Sequence, residues 1–234
     1  MAKQFENAVV GENTIVEPNV TIGFRYHPNA GAARVGDYGI LRMGTIIYGD
    51  VIIGDYFQTG HYAVIRAKVW IGNYCTILNH SALEGIVRLG DGVRIMSHCY
   101  FPSRTWIGDH VFIGPGVTVL NDRYPGRTEV MITPRGPTIE DHVMVGGGVT
   151  IMAGVRIGYR SFIAAGALVH KDVPPRSFVK GVPGQISPLP SHLDRDNHRA
   201  LTIQPRDLWH PLTPSQDLPD WPPDWPERFE DSRI

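Results

Sequence analysis

The sequence predicts an all-β chain wound into a triangular parallel coil, and three observations predict it. Every sixth residue from Val35 to Val119 is apolar at fourteen of fifteen positions, in a chain whose hydrophobic content is 42%. Gly36, Gly54, Gly72, Gly90 and Gly108 stand 18 apart, each followed by Asp or Asn. The 26 glycines, 19 prolines and 19% charged residues describe a turn-rich β chain with few long helices.

The six-residue column runs Val35, Leu41, Ile47, Ile53, Thr59, Ile65, Ile71 and on through Ile113 to Val119. Four residues after each member the side chain is usually small or β-branched, as at Thr45, Val51, Ala63, Val69, Cys75 and Ser81. Neither a helical period nor simple alternation produces this pattern. Three hexads make one coil, with short parallel strands on the faces and the aliphatic column inside. Gly tolerates positive φ and Asp or Asn favours turns, so each Gly-Asp or Gly-Asn pair marks one corner in three. The first hexads begin at Val10, Val16 and Ile22. At Asn121 the column stops, Pro125, Gly126, Pro134, Gly136 and Pro137 appear, and residues 121–137 read as an excursion loop. Hexads resume at Ile139 and continue through Val145, Ile151, Ile157, Ile163 and Val169, each coil burying its apolar side on the next. The expected organisation is a coil domain over residues 1–186, followed by an arm over 187–234. The arm is rich in Pro and carries Trp209, Trp221 and Trp225. It is expected to be extended, with at most two helical turns over 193–201, and to pack on the coil wall or on a neighbouring subunit.

The hexads, as in "IGDHVFIGPGVTV" and "IMAGVRIGYRSFIAAGALV", resemble those of the hexapeptide-repeat acyltransferases over roughly residues 8–186. The resemblance implies a left-handed parallel β-helix, an exception to the right-handed crossover rule. It also implies trimers with sites between chains, and acetyl-CoA as a co-substrate in place of a permanently bound cofactor. The exit segment "GVPG", ending at Gly184, stands where the family usually has "GVPA". In the galactoside and xenobiotic O-acetyltransferases a catalytic His lies at the excursion, and residues 121–137 here contain none. The "NDRYP" stretch instead resembles N-acetyltransferases acting on nucleotide-linked amino sugars.

Columns of side chains follow from the 18-residue period. Along one corner Tyr62, His80 and His98 give way to Gly116, Gly148 and Gly166. One step earlier the column reads His61, Asn79, Ser97, Pro115, Gly147 and Ala165. Glycines let a pantetheine arm lie against backbone whose N–H groups can bond its amides. A histidine titrating near neutrality suits the base that deprotonates an attacking amine, and a backbone N–H one coil along suits the oxyanion. His98 and Gly116 are therefore the candidate catalytic pair, a pairing the resemblance also implies. Asn79 and His80 are candidate substrate contacts, together with Asn121, Asp122, Arg123 and Tyr124 on the excursion, whose arginines suit phosphate or carboxylate. Gly148, Ala165, Gly166, Lys171 and Lys180 are the candidate coenzyme A contacts. His110 and His142 follow Asp at other corners and are expected to be solvated.

The formal net charge of -1 gives no general attraction to nucleic acid or anionic membrane. No apolar run approaches the ~20 residues of a membrane span. Two cysteines make no disulfide framework, so a reducing cytoplasm is expected. A zinc site shared between subunits, as in carbonic anhydrases of related fold, uses two histidines five apart. The histidines from His61 to His170 stand twelve or more apart, so no metal is expected. The expected function is acetyl-CoA-dependent N-acetylation of a UDP- or dTDP-linked amino sugar by a homotrimer, for surface polysaccharide synthesis. An O-acetyltransferase on a sugar or small alcohol and a non-catalytic scaffold are the alternatives.

Overall fold

The computed structural model describes residues 7–127 and 135–197. Among them each coil contributes short strands to three sheets that run the length of a triangular prism. Face one gathers the strands from Ala8–Val10 to Arg156–Ile157, face two those from Ile15–Val16 to Gln185–Pro188, and face three those from Thr21–Phe24 to Leu168–Val169. The pairing is parallel and in register from coil to coil, so Ile77 lies beside Ile95 and Ile95 beside Ile113. The winding is left-handed.

A two-residue strand puts one side chain inward and one outward. The inward one is the aliphatic column: from Val35 to Val119 no member is more than 4% exposed. Each buried Ile or Leu contributes roughly 2–3 kcal/mol. Thr59, the polar exception, is satisfied: its Oγ1 lies 2.9 Å from Thr45 Oγ1 and accepts the Arg42 N–H at 2.8 Å. Cys75 and Cys99 sit in the second inward column as free thiols. Burial pushes Cys75 up to about 12 and Cys99 up to about 11.

The Gly-Asp corners, between faces one and two, hold a different device from the expected one. Gly36, Gly54, Gly72, Gly90 and Gly108 are not at positive φ; the residue two later is, as at Tyr38, Tyr56, Tyr74 and His110. Each of these glycines is required because the next coil leans on it. A Cβ on Gly90 would stand 2.1 Å from Asp109 Oδ1. That oxygen accepts the Asp91 N–H at 2.8 Å, and the same bond recurs from Asp37 to Asp55, Asp55 to Asn73 and Asn73 to Asp91. The result is a one-sided ladder of side-chain oxygen caps, carboxylates and the Asn73 amide, one per coil.

The excursion leaves from the corner between faces three and one. The Asn121 carbonyl accepts the Arg135 N–H at 3.1 Å, closing the loop base. Sequence reasoning missed a second, smaller excursion at the same corner. Val10 pairs with Val35, a step of 25 where 18 is the rule, and Phe24 and Ala33 bracket the extra residues. Asp50 holds it, accepting from Gly31 N–H at 2.8 Å and Tyr26 O–H at 2.9 Å. The 13-residue step from Ile22 to Val35 was its signal.

At the C-terminal end, strand Gln185–Pro188 folds back antiparallel on Ser177–Lys180. The chain then descends the corner between faces one and two. Arg176 donates to Asp194 at 2.9 Å, Arg160 to Asp196 at 2.5 Å, and Asn197 to the carbonyl of His110 at 2.7 Å. This strap corrects the expectation for His110 and His142. Their rings stack at 5.2 Å, the side chain of His142 is only 21% exposed, and its Nδ1 lies 3.7 Å from Asp196. Of residues 193–197 only Leu193 is helical, as the end of the 3-10 turn Ser191–Leu193. Trp209, Trp221 and Trp225 lie outside the described residues.

Candidate functional site

The corner between faces two and three carries the residues singled out from the sequence. Tyr62, His80 and His98 each occupy the left-handed turn position, with φ of 58°, 56° and 62°. Repeating that conformation every coil stacks their rings: Tyr62 on His80 at 5.3 Å and 7°, His80 on His98 at 5.2 Å and 13°. Tyr62 closes the lower end. A Cβ on Gly44 would stand 2.3 Å from its ring, so the ring lies flat on that glycine. His98 is the last ring of the stack.

Above it the corner is bare. A Cβ on Gly148 or Gly166 would meet nothing within 4 Å, and one on Gly116 only the Gly148 nitrogen at 4.0 Å. Three coils of backbone, one spacing of roughly 4.8 Å apart, form an open trough that begins at the exposed edge of His98. Lys180 lies beside its upper end, one residue past Val179, which pairs with Ile163. Lys171 does not; it stands at the corner between faces three and one.

The hydrogen bonds at this corner correct the role read for Gly116. Its N–H donates to the Ser97 carbonyl at 3.0 Å and is not free for an oxyanion. The free donors are one residue earlier in each coil. At the Gly-Asp corner those N–H groups are capped by the Asp or Asn side-chain oxygen of the next coil. Here the His61 N–H is capped likewise by Asn79 Oδ1 at 2.7 Å, but Pro115 and Ala165 bring no acceptor to the coils below them. Among the described residues the N–H groups of Ser97, Gly147 and Ala165 have no partner. They line the corner as unspent donors, and only comparison of the two corner columns would have revealed them in the sequence. Asn79 is itself occupied, since its Nδ2 also reaches Ser97 Oγ at 3.4 Å.

The excursion residues stand one face away from His98 in the same chain. Strand Thr118–Val119 separates the two corners. Asn121 donates to Ser103 Oγ at 3.2 Å, and Asp122 accepts the Tyr124 N–H at 2.8 Å. Arg123 donates to the carbonyls of Ala153 at 3.3 Å and His170 at 3.1 Å, which fastens the loop to the two following coils. It is a loop anchor, not an open anion contact. Tyr124 is 62% exposed.

The family described as bacterial transferase hexapeptide (six repeats) matches residues 86–121 and 136–171, on either side of the excursion. Galactoside O-acetyltransferase of Escherichia coli is 38% identical over 98 residues, 39% of this chain and 46% of the relative. Serine acetyltransferase of Mycobacterium tuberculosis is 38% identical over 80 residues, 34% of this chain and 35% of the relative. The chain thus spans less than half the length of these curated relatives. UDP-N-acetylglucosamine acyltransferase from Campylobacter jejuni matches with a TM-score of 0.55 at 20% identity, covering 79% of this chain and 71% of that one, which is a likeness of fold. With its period-18 coils and buried hexad column, the chain is similar to the hexapeptide-repeat transferases over the matched repeats.

Proposed function

We propose that the chain is an acyl-CoA-dependent acyltransferase, with its donor along the Gly116–Gly148–Gly166 trough and its acceptor at His98. The observation that carries this reading is the change along one corner from stacked rings to bare backbone. A pantetheine arm needs a narrow strip with amide partners. The N–H groups of Gly147 and Ala165 supply donors, and Lys180 supplies a cation for the coenzyme's phosphates. The acetyl thioester then ends at His98. The acceptor nitrogen attacks the thioester carbon, a C–N bond forms, and the carbonyl electrons move onto oxygen. His98 takes the proton from nitrogen, the C–S bond breaks, and coenzyme A leaves as the thiol once it receives that proton. Gly116 contributes empty surface. Ser97 N–H, next to His98 in the chain, is the unspent donor for the oxyanion.

The acceptor in this reading is an amino sugar carried on UDP or dTDP, used for surface polysaccharide. Asp122, whose second carboxylate oxygen is uncommitted among the described residues, and Asn121 meet it from a neighbouring subunit of a homotrimer. Face three supports that assembly: its outward column of Ile46, Val64, Ala82, Tyr100, Thr118, Thr150 and Leu168 carries no charge. Three copies with this face toward a common axis bring the His98 corner of one against the excursion corner of the next. O-acetyl transfer is the second reading, because the relatives named above acetylate serine and galactosides.

Thiol release from acetyl-CoA separates the readings. The expected result is release with UDP- or dTDP-linked 3- or 4-amino sugars and none with their hydroxyl analogues. Release only with galactosides, serine or other alcohols selects O-acetyl transfer. No release and no thermal stabilisation by coenzyme A would leave a scaffold.

A further inference from the structure

Face one carries a cluster that the transferase reading does not use. In three successive coils the corner residue and the outward strand residue read Lys68 and Trp70, Ile86 and Arg88, Arg104 and Trp106. Strand pairing sets Arg88 between the two tryptophans, and the Arg104 N–H bonds the Ile86 carbonyl at 2.8 Å. Cations and apolar groups therefore alternate in both directions across a flat sheet. All six are exposed, with Trp70 at 48% and Trp106 at 54%. The Arg88 guanidinium lies 4.2 Å from the centre of the Trp70 ring.

Arg42, Arg66, Arg156, Arg160 and Arg176 each pair with a carboxylate. Among the described residues Lys68, Arg88 and Arg104 pair with none. Three unpaired cations around two open indoles form a surface with a cost in water and a use in binding.

We propose that this patch binds an acidic oligosaccharide, with sugar faces on Trp70 and Trp106 and a carboxylate at Arg88. The indoles stand two strand spacings apart, roughly 9–10 Å, about the reach of two pyranose rings in an extended glycan. Carbohydrate C–H groups pack on aromatic faces, and a guanidinium already stacked on an indole presents its N–H fork outward to a carboxylate. Single-stranded nucleic acid uses stacking and positive charge too. It is disfavoured because the ladder carboxylates Asp55, Asp91 and Asp109 run along the other border of the same face. A polyphosphate strand meets them all, whereas a thin glycan along the tryptophan column does not. This site stands independently of the trough and of the acceptor proposed above.

The test is calorimetric titration of the full chain with a galacturonic acid hexamer, with maltohexaose as the uncharged control and oligo-dT as the nucleic acid. The expected result is binding of the acidic hexamer, weaker binding of maltohexaose, and a roughly tenfold loss of affinity in each of Trp106→Ala and Arg88→Gln. Both side chains point outward, so thermal melting and stabilisation by coenzyme A should stay as in the parent. No binding of the acidic hexamer, or equal binding by parent and both variants, overturns the proposal. Tighter binding of oligo-dT replaces it with a nucleic-acid surface. A fall in the light-scattering mass of the variants replaces it with an interface between copies.

Discussion

Two corners of the prism carry columns of glycine, and the columns do opposite things. Between faces one and two, glycine makes room for the next coil, whose carboxylate fills the space and caps a backbone N–H. Between faces two and three, Gly116, Gly148 and Gly166 make room for nothing in the chain, and among the described residues the N–H groups of Ser97, Gly147 and Ala165 stay unspent. One corner consumes its own hydrogen-bonding capacity in stability. The other holds it in reserve. The difference separates a repeat closed on itself from one left open to solvent within a single periodic fold.

The comparison can be broken at either corner. The largest effect is expected at His98, where the bare column begins. His98→Ala should lower turnover by roughly 100-fold or more while leaving the melting temperature nearly unchanged, because the ring is exposed. An unaltered rate in thiol-release assays would remove the base from the proposed chemistry. Next comes Gly90→Ala at the filled corner. Its Cβ would stand 2.1 Å from Asp109 Oδ1 and 2.8 Å from the Gly108 carbonyl carbon, so a loss of about 2–3 kcal/mol is expected in denaturant melts. A stable Gly90→Ala protein would show that the ladder is slack. Gly148→Asn is the counterpart. The position has φ of 66° and open space, and Asn accepts that backbone, so stability should fall by no more than about 1 kcal/mol. Its side chain would fill the trough, and stabilisation by coenzyme A should disappear. The smallest effect belongs to the strap on the filled corner. The Arg160 guanidinium holds the Asp196 carboxyl below its ordinary value. A lowered carboxylate contributes stability that is complete above its ordinary value and is lost as pH falls through the lowered one. Hydrogen exchange around residues 194–197 should therefore accelerate in acid, and Asp196→Asn should remove that acid dependence.

The hexad column was legible because burial on the inside of a coil repeats with the chain. Ile53, Ile71 and Ile95 need no partner beyond their equivalents one coil away. The site was legible to the same extent: the period alone stacks Tyr62, His80 and His98 and puts Gly116 after them. What the period does not encode is where hydrogen atoms go. Gly36 and its repeats invited an argument from φ, yet their reason is an oxygen 18 residues on. Gly116 looked like a donor, yet its N–H serves Ser97. Arg123 looked like an anion contact, yet two carbonyls from later coils claim it. The strap through Asp194, Asp196 and Asn197 has no periodic signature, because a chain running antiparallel to the coils meets them one at a time.

The ladder also closes beneath the large excursion. Asp109 N–H reaches Asp141 Oδ1 at 2.8 Å across 32 residues, the same bond that elsewhere spans 18. The coils on either side are joined as though the loop were absent. The segment that follows Asn121 is therefore a cassette on a closed socket, tied down by Arg123 at the carbonyls of Ala153 and His170. Exchanging it for a loop of another length or sequence should leave the prism and the trough untouched. On the function proposed above, a chain of this fold changes its acceptor by trading one segment, while keeping its donor.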